Sequence, residues 1–248
     1  MMKKISVIIC AAGASSRFGG DRKKPFVDLC GRAAFLRSIE FFAERDDVFQ
    51  VILAISPEDE EIVKVKWGAA LAFSGVKLCF GGGERFETVA KALELVKDEA
   101  QLIAVHDAVR CCLTNQWLDE LFKTAGETGA AMLAAPVVAT LKKVENGVIV
   151  DTVDRSTLYE AQTPQVFDAK WLKDGYAKLD TLDKAKITDD AQLIEALGHP
   201  VHIVETDHSN IKITRKSDVP IAEAIIKSRP KPKSDSPFGP ISEEDMWK

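Results

Sequence analysis

The sequence predicts a doubly wound α/β fold with a mostly parallel sheet and one inserted β-hairpin. Apolar runs of strand length alternate with amphipathic segments up to residue 138. Glycine-rich or charged segments directly follow several of these runs, and an alternating segment around Asn146-Gly147 then interrupts the order. Alternation of buried strands with helices is typical of a parallel sheet covered by helices on both faces.

The individual elements follow from apolar period and from helix-start signals. Ser56, followed by Pro57 and two acidic residues, predicts an N-cap and the first turn of a helix. Short runs of apolar and β-branched residues predict the strands, which are expected at 5–10, 49–55, 76–80, 101–105, 130–138, 202–205 and 211–214. Helices are expected at 33–45, 57–73, 86–97, 115–127, 169–180, 189–197 and 218–228.

The hairpin is predicted at 139–154, where two alternating runs flank Asn146-Gly147. A flap on its own subunit and an arm on a partner both fit this position. An isolated hairpin is marginally stable in water, which favours the arm. We therefore expect one domain over 1–228 that includes the arm. The segment 229–248 holds four prolines and mixed charge, and it is predicted to be a disordered tail.

Composition excludes several classes of protein. A net charge of -5 over 248 residues argues against general binding to nucleic acid or to a membrane surface. No apolar stretch reaches the length of about 20 residues that spans a membrane. The five cysteines contain no metal-ligand spacing, so we expect reduced thiols in a cytoplasmic protein.

The segment AAGASSRFGGDRKKP directly follows the first strand. A glycine-rich loop after a strand presents backbone N–H groups that bind anions, and small residues let a phosphate approach closely. Arg17 and Lys24 add positive charge, with Lys23 as a weaker candidate. This combination predicts a nucleotide triphosphate site, although neither common phosphate-binding fingerprint is present.

Asp107 follows His106 at the end of another buried strand, at the sheet edge where ligands of α/β proteins bind. A carboxylate there suits Mg²⁺ or a substrate hydroxyl. A helix N-cap or a partner for Arg110 is the structural alternative, and His106 is expected to be a structural imidazole. No nucleophile motif is present, which favours phosphoryl-type transfer by positioning and charge stabilisation.

Seven segments occur together in the order and spacing of one enzyme family: AAGASSRFGGDRKKP, GGGERFETV, VHDAVR, APVVATLKKV, TVDRSTLYEAQTPQVF, ITDDA and NIKITRKSDV. Over about residues 3–228 the chain resembles the 2-C-methyl-D-erythritol 4-phosphate cytidylyltransferases. The resemblance implies a Rossmann-like nucleotidyltransferase fold, a homodimer, a requirement for Mg²⁺, and transfer of CMP from CTP to methylerythritol phosphate.

The resemblance also implies roles for individual residues. Arg17 and Lys24 would hold the triphosphate and the pentacoordinate transition state. The cytidine part would contact Ala11, Ala12, Gly13, Gly82, Gly83 and Thr88. The sugar-alcohol phosphate would contact Asp107, Arg110, Thr140, Arg155, Thr163 and Lys212. Thr140 and Arg155 would come from the arm of the other subunit, and Asp107 would also be the candidate metal ligand.

Several positions differ from the usual family pattern. Cys10 stands where Pro is common, Pro25 where Gln is usual, and Thr88 where Ser is usual. Val109 in VHDAVR also resembles the ribitol-5-phosphate cytidylyltransferases, which are the first alternative. A molybdopterin-type guanylyltransferase shares the opening loop and is the second alternative, but it is not expected to contain TVDR or NIKIT.

Overall fold

A computed structural model describes residues 3–13, 18–19 and 23–229. Seven strands form one sheet, and two more form a separate hairpin. The strands are β1 (Ile5–Cys10), β2 (Val48–Ile55), β3 (Lys77–Phe80), β4 (Leu102–Asp107), β5 (Ala130–Pro136), β6 (Leu141–Glu145), β7 (Val148–Val153), β8 (Tyr159–Asp168) and β9 (His202–Glu205). The order across the main sheet is β3-β2-β1-β4-β8-β5-β9.

The main sheet is mostly parallel, as predicted. β1 pairs in parallel with β2 and β4, β2 pairs with β3, and β5 pairs with β9. β8 lies between β4 and β5 and is antiparallel to both. The chain enters β8 on its return from the hairpin, which gives this strand the opposite direction.

Helices cover both faces of the sheet. Val7 and Ile9 of β1 pack into one core with Phe35, whereas Ile8 packs into the other core with Val89. This division follows from the period of two along a strand. The helices are α1 (Ala34–Ala43), α2 (Glu60–Phe73), α3 (Arg85–Leu93), α4 (Asn115–Thr128), α5 (Ala169–Ala177), α6 (Ala191–Ala196) and α7 (Asp218–Ser228).

The predicted strand at 211–214 is wrong, because this segment is a loop. Ile213 is fully buried, and its N–H donates to the carbonyl oxygen of Val109 at 3.0 Å. The Asp218 carboxylate accepts the N–H groups of Thr214 and Arg215. The apolar alternation therefore reflects packing under α7, and it places Lys212 next to the end of β4.

Ser56 does precede a helical turn, Pro57–Asp59, that leads into α2. Ser56 stands at the N-cap position, as predicted, but its hydroxyl makes no cap bond and donates instead to the carbonyl oxygen of Ala12 at 2.7 Å. Ser56 thus fastens the loop after β1 to the neighbouring strand end.

The segment around Asn146-Gly147 forms the antiparallel hairpin of β6 and β7. Both turn residues have positive φ, 49° and 81°, as this short turn requires. Every residue of both strands is exposed. The tail segment 230–248 lies outside the described residues. Within the described ranges, no helix is long and apolar enough to cross a membrane.

Candidate active site

A pocket lies at the carboxyl ends of the strands. Cys10 and Asp107, the last residues of β1 and β4, stand directly opposite each other in the parallel ladder. The loop after β3 and the turn at Lys24 complete the pocket wall. The predicted site residues that line it are Ala11, Ala12, Gly13, Lys24, Gly82, Gly83, Thr88, Asp107 and Lys212.

Lys24 begins a short 3-10 helix, Lys24–Phe26. Phe26 anchors this turn by an edge contact with Phe35 and by stacking on Trp67, at 5.7 and 5.5 Å between ring centroids. Lys23 instead forms ion pairs with Glu58 and Asp59, at 2.7 and 2.9 Å. The structure therefore places Lys24, and not its neighbour, on the pocket.

The glycine-rich loop after β3 leads into α3, and Thr88 of that helix bonds back to the loop. Thr88 Oγ1 accepts the Gly82 N–H at 3.0 Å and donates to the Glu84 carbonyl oxygen at 3.1 Å. Glu84 and Glu87 form a capping box at the start of the helix. Thr88 therefore holds the shape of the loop in addition to lining the pocket.

Gly81 packs too tightly for any side chain. A Cβ there would lie 2.3 Å from Ala12 Cβ and 2.8 Å from Thr88 Oγ1. We expect Gly81→Ala to lower the free energy of unfolding by about 1–3 kcal/mol, as overpacking does, in urea titrations. Gly83→Ala is the matched control, because its Cβ would meet its nearest atom, Glu87 Oε2, at 3.5 Å. Equal losses in the two variants would contradict the close approach.

Asp107 is surrounded by three cations. Its Oδ2 lies 2.8 Å from Lys212 Nζ and 3.6 Å from Arg110 Nε, and its Oδ1 lies 3.5 Å from Arg85 Nε. Burial would raise the pKa of Asp107, but Lys212 and Arg85, followed by Arg110, outweigh it and hold the pKa well below its usual range. The carboxylate is thus ionised and orients the cations around it.

Thr163 lies on β8, beside the end of β4, and is buried outside the pocket lining. Its Oγ1 accepts the Asp107 N–H at 3.0 Å and lies 3.1 Å from His106 Nδ1. It supports the end of β4 in this chain. Arg110 is held nearby, because its Nη1 donates to the Asn210 carbonyl oxygen at 2.8 Å.

His106 is fully buried, which fits a structural imidazole. Burial lowers its pKa to about 3, against the opposing effect of Asp107. The imidazole is therefore neutral at pH 7, and its low pKa makes it a weak proton acceptor.

Stability should fall as the pH falls from about 6.5 towards 3. In this window an unfolded chain binds a proton at His106 that the folded chain excludes, so stability rises with pH by up to about 1.4 kcal/mol per unit. Denaturant unfolding of the wild type and of His106→Asn between pH 4 and 7 measures this contribution. The same slope in both proteins would assign the effect to other groups.

The arm residues lie outside the pocket lining in this single chain. Thr140 and Arg155 are exposed, and the Arg155 guanidinium donates to the carbonyl oxygen of Val138. Arg17 lies outside the described residues. The pocket cations that the described part of the chain brings together are therefore Lys24, Arg85 and Lys212.

Arg85 is a pocket residue that sequence reasoning missed. One local signal was available, because a cation in the first turn of a helix opposes the helix dipole. Its buried partner Asp190 lies far along the chain, and no local pattern links the two residues.

Cys10 is the thiol on the described part of the pocket wall. Burial, offset in part by Arg85, raises the pKa of the Cys10 thiol to about 12. The thiol is therefore protonated at neutral pH, and all five cysteines are free.

Asp107 is the predicted metal ligand, and in this structure its two oxygens pair with Lys212, Arg110 and Arg85. Among the described residues no group of three or more His, Cys, Asp or Glu side chains is arranged for a metal. Mg²⁺ is commonly bound through one or two carboxylates together with substrate phosphates. Asp107 supplies one such carboxylate at the pocket.

A glycine-rich loop, an ionised aspartate and converging cations lie at the strand ends of a doubly wound sheet, where such folds bind nucleotides. This arrangement is the one expected of a nucleotide-binding protein. The family model described as 2-C-methyl-D-erythritol 4-phosphate cytidylyltransferase matches residues 5–228. The chain belongs to this family, which confirms the resemblance and favours it over the guanylyltransferase alternative.

Relatives and solved structures agree with this membership. The 2-C-methyl-D-erythritol 4-phosphate cytidylyltransferase of Rhodopirellula baltica is 41% identical, over 90% of this chain and 94% of the relative. The crystal structure of the Thermus thermophilus protein of the same name is 30% identical with a TM-score of 0.75, over 90% of this chain and 99% of that chain. The 4-diphosphocytidyl-2C-methyl-D-erythritol synthase structure from Anaerococcus prevotii is 27% identical with a TM-score of 0.78, over 91% and 96% of the two chains.

Proposed function

We propose that this chain transfers CMP from CTP to 2-C-methyl-D-erythritol 4-phosphate, giving CDP-methylerythritol and pyrophosphate. The observation that carries the proposal is the ionised Asp107 among Lys212, Arg85 and Arg110, beside the glycine-rich nucleotide loop. Family membership supplies the two substrates, and this cluster supplies a place for the substrate phosphate.

In this mechanism the substrate phosphate is the nucleophile. A phosphate monoester is mostly dianionic at neutral pH, because its second pKa is about 6, so no general base is needed. One of its oxygens attacks the α-phosphorus of CTP in line, and the bond from that phosphorus to the bridging oxygen of pyrophosphate breaks. Neither the neutral His106 nor the protonated Cys10 takes part in the transfer.

The protein supplies charge and orientation in this reaction. Lys24, with Arg17 from the same loop, would stabilise the negative charge of the transition state. Lys212 and Arg110 would receive the phosphate of the sugar alcohol. Asp107 would contribute to holding Mg²⁺, which when bound neutralises part of the triphosphate charge.

The exposed arm supports the proposal of a homodimer. Its two strands expose six large apolar side chains to solvent: Leu141, Val144, Val148, Ile149, Val150 and Val153. A two-fold partner offers the same surface in return. We propose that Thr140 and Arg155 of each subunit reach the active site of the other.

The free cysteines support a reducing, cytoplasmic location.

Initial rates of pyrophosphate release test the proposed substrates. CTP, UTP and GTP are each paired with methylerythritol phosphate or ribitol 5-phosphate, in the presence and absence of Mg²⁺. We expect the highest kcat/KM for CTP with methylerythritol phosphate and Mg²⁺. Val109 lines the pocket and makes ribitol 5-phosphate the sharpest competitor. Faster turnover of ribitol 5-phosphate, or of GTP, would overturn the assignment.

A further inference from the structure

Arg85 occupies a position that is unfavourable for a cation. It is the first residue of α3, where the positive end of the helix dipole repels positive charge. Its side chain turns inward, and Nη1 lies 2.6 Å from Asp190 Oδ2 while Nε lies 3.5 Å from Asp107 Oδ1. Burial would lower the pKa of this guanidinium, but Asp190 and then Asp107 outweigh it, so it remains charged.

Asp190 also lacks the contact that is usual for an aspartate at its position. It directly precedes α6, where an aspartate commonly caps the helix, yet its side chain makes no cap bond. The carboxylate is buried, with Oδ1 accepting the Tyr176 hydroxyl at 2.6 Å. Gln165 Oε1 accepts the Asp190 N–H at 3.1 Å. Asp190 is therefore fixed by both α5 and β8.

Stability alone gives a poor explanation for this arrangement. A buried ion pair is often no more stabilising than well-packed apolar side chains of the same volume. Here Nη2 of Arg85 is also buried and has no hydrogen-bond partner among the described residues. Arg85 also contacts Asp107, on the pocket side, and this contact indicates that the ion pair has a role in the site.

We propose that Arg85, held by Asp190, is the positioning residue for Asp107. Arg85 holds Oδ1 of that carboxylate, which leaves Oδ2 directed at Lys212 Nζ, 2.8 Å away. Asp190 and Tyr176 form the fixed base of this chain of contacts. The inference rests on the proposed function only for the identity of the substrate that the oriented cluster receives.

A crystal structure of the unliganded Arg85→Met variant tests the positioning without any assay. We expect the Asp107 carboxylate to rotate and its contact with Lys212 to open beyond 4 Å. Arg45→Met is the control, because Arg45 pairs with Asp47 at 2.7 Å beside the start of β1, at the opposite edge of the sheet. An unmoved Asp107 in Arg85→Met would overturn the proposal, whether or not the wild type uses the proposed substrates.

Kinetics then separate positioning from a general structural effect. We expect Arg85→Met to lower kcat/KM for methylerythritol phosphate by at least about tenfold, and by less than about twofold when Asp107→Asn is already present. Arg85→Lys should restore part of the loss, because it keeps the charge without the planar fork. Additive losses in the double variant would show that Arg85 does not act through Asp107.

Asp190→Asn provides a second route if Arg85→Met does not fold. It keeps the shape of the side chain and weakens the anchor of Arg85. We expect the same shift of Asp107 in a crystal structure, and the same loss of effect in the Asp107→Asn background. Wild-type geometry at Asp107 together with an additive kinetic loss would overturn the proposal.

Discussion

Lys24→Ala should lower kcat for CMP transfer by about 10²–10³ while leaving the melting temperature nearly unchanged. Removal of one preorganised charge from a transition state costs about 2.7–4 kcal/mol in activation free energy. Lys24 lies on the pocket wall and is only partly buried, so we expect the loss of its side chain to cost little stability. Steady-state kinetics with saturating substrates and a thermal melt measure the two quantities.

Lys23→Ala is the matched control at the adjacent position, and its expected result is the reverse. Lys23 pairs with the buried Asp59, so its loss leaves a carboxylate without its partner. We expect a loss of about 1–3 kcal/mol in stability and a nearly normal kcat. Equal kinetic losses in the two variants would remove the special role of Lys24.

Arg155→Ala should be nearly inactive by itself and should recover activity when mixed with Lys24→Ala. If Arg155 acts in the neighbouring subunit, a mixed dimer has one site with both residues intact. Half of the re-equilibrated dimers are mixed, and each has one good site of two, so activity should return to about one quarter of the wild-type value. The measurement is the specific activity after subunit exchange has been confirmed by mass spectrometry.

A mixture of Lys24→Ala with Asp107→Asn is the control for this complementation. Both residues line the pocket of one chain, so each mixed dimer has one defect in each site and stays inactive. Confirmed exchange without recovery in the Arg155 mixture would place Arg155 in its own subunit or outside catalysis.

Local sequence patterns predicted the elements whose structure depends mainly on neighbouring residues in the chain. The apolar runs gave the buried strands, and Asn146-Gly147 gave the hairpin because few residue pairs adopt positive φ at two successive positions. The prediction of a strand at 211–214 was wrong because an alternating pattern shows only which side chains are buried. Ile213 is buried under α7 rather than in a sheet. The sequence favoured Lys24 over Lys23, and the structure pairs Lys23 with Glu58 and Asp59, two residues that no spacing within the loop connects to it.

The candidate site was likewise predicted only in part from the sequence. The end of an apolar run predicted that Asp107 lies at the site, and the glycines predicted the nucleotide loop. The anchoring of Asp107 through Arg85 and Asp190 joins residues on three separate elements, so only the folded chain displays it. Thr163 was predicted to contact substrate, and its position beside the end of β4 depends on the insertion of β8 into the sheet.

Phosphorus NMR of the complete reaction shows directly whether the pocket joins CMP to a sugar-alcohol phosphate. With CTP, methylerythritol phosphate, Mg²⁺ and wild-type protein, we predict two coupled signals of a new pyrophosphate diester, together with equimolar inorganic pyrophosphate. The diester should be absent without the alcohol phosphate and strongly reduced with Lys24→Ala. Formation of CMP and pyrophosphate without the diester, or no reaction at all, would contradict the account.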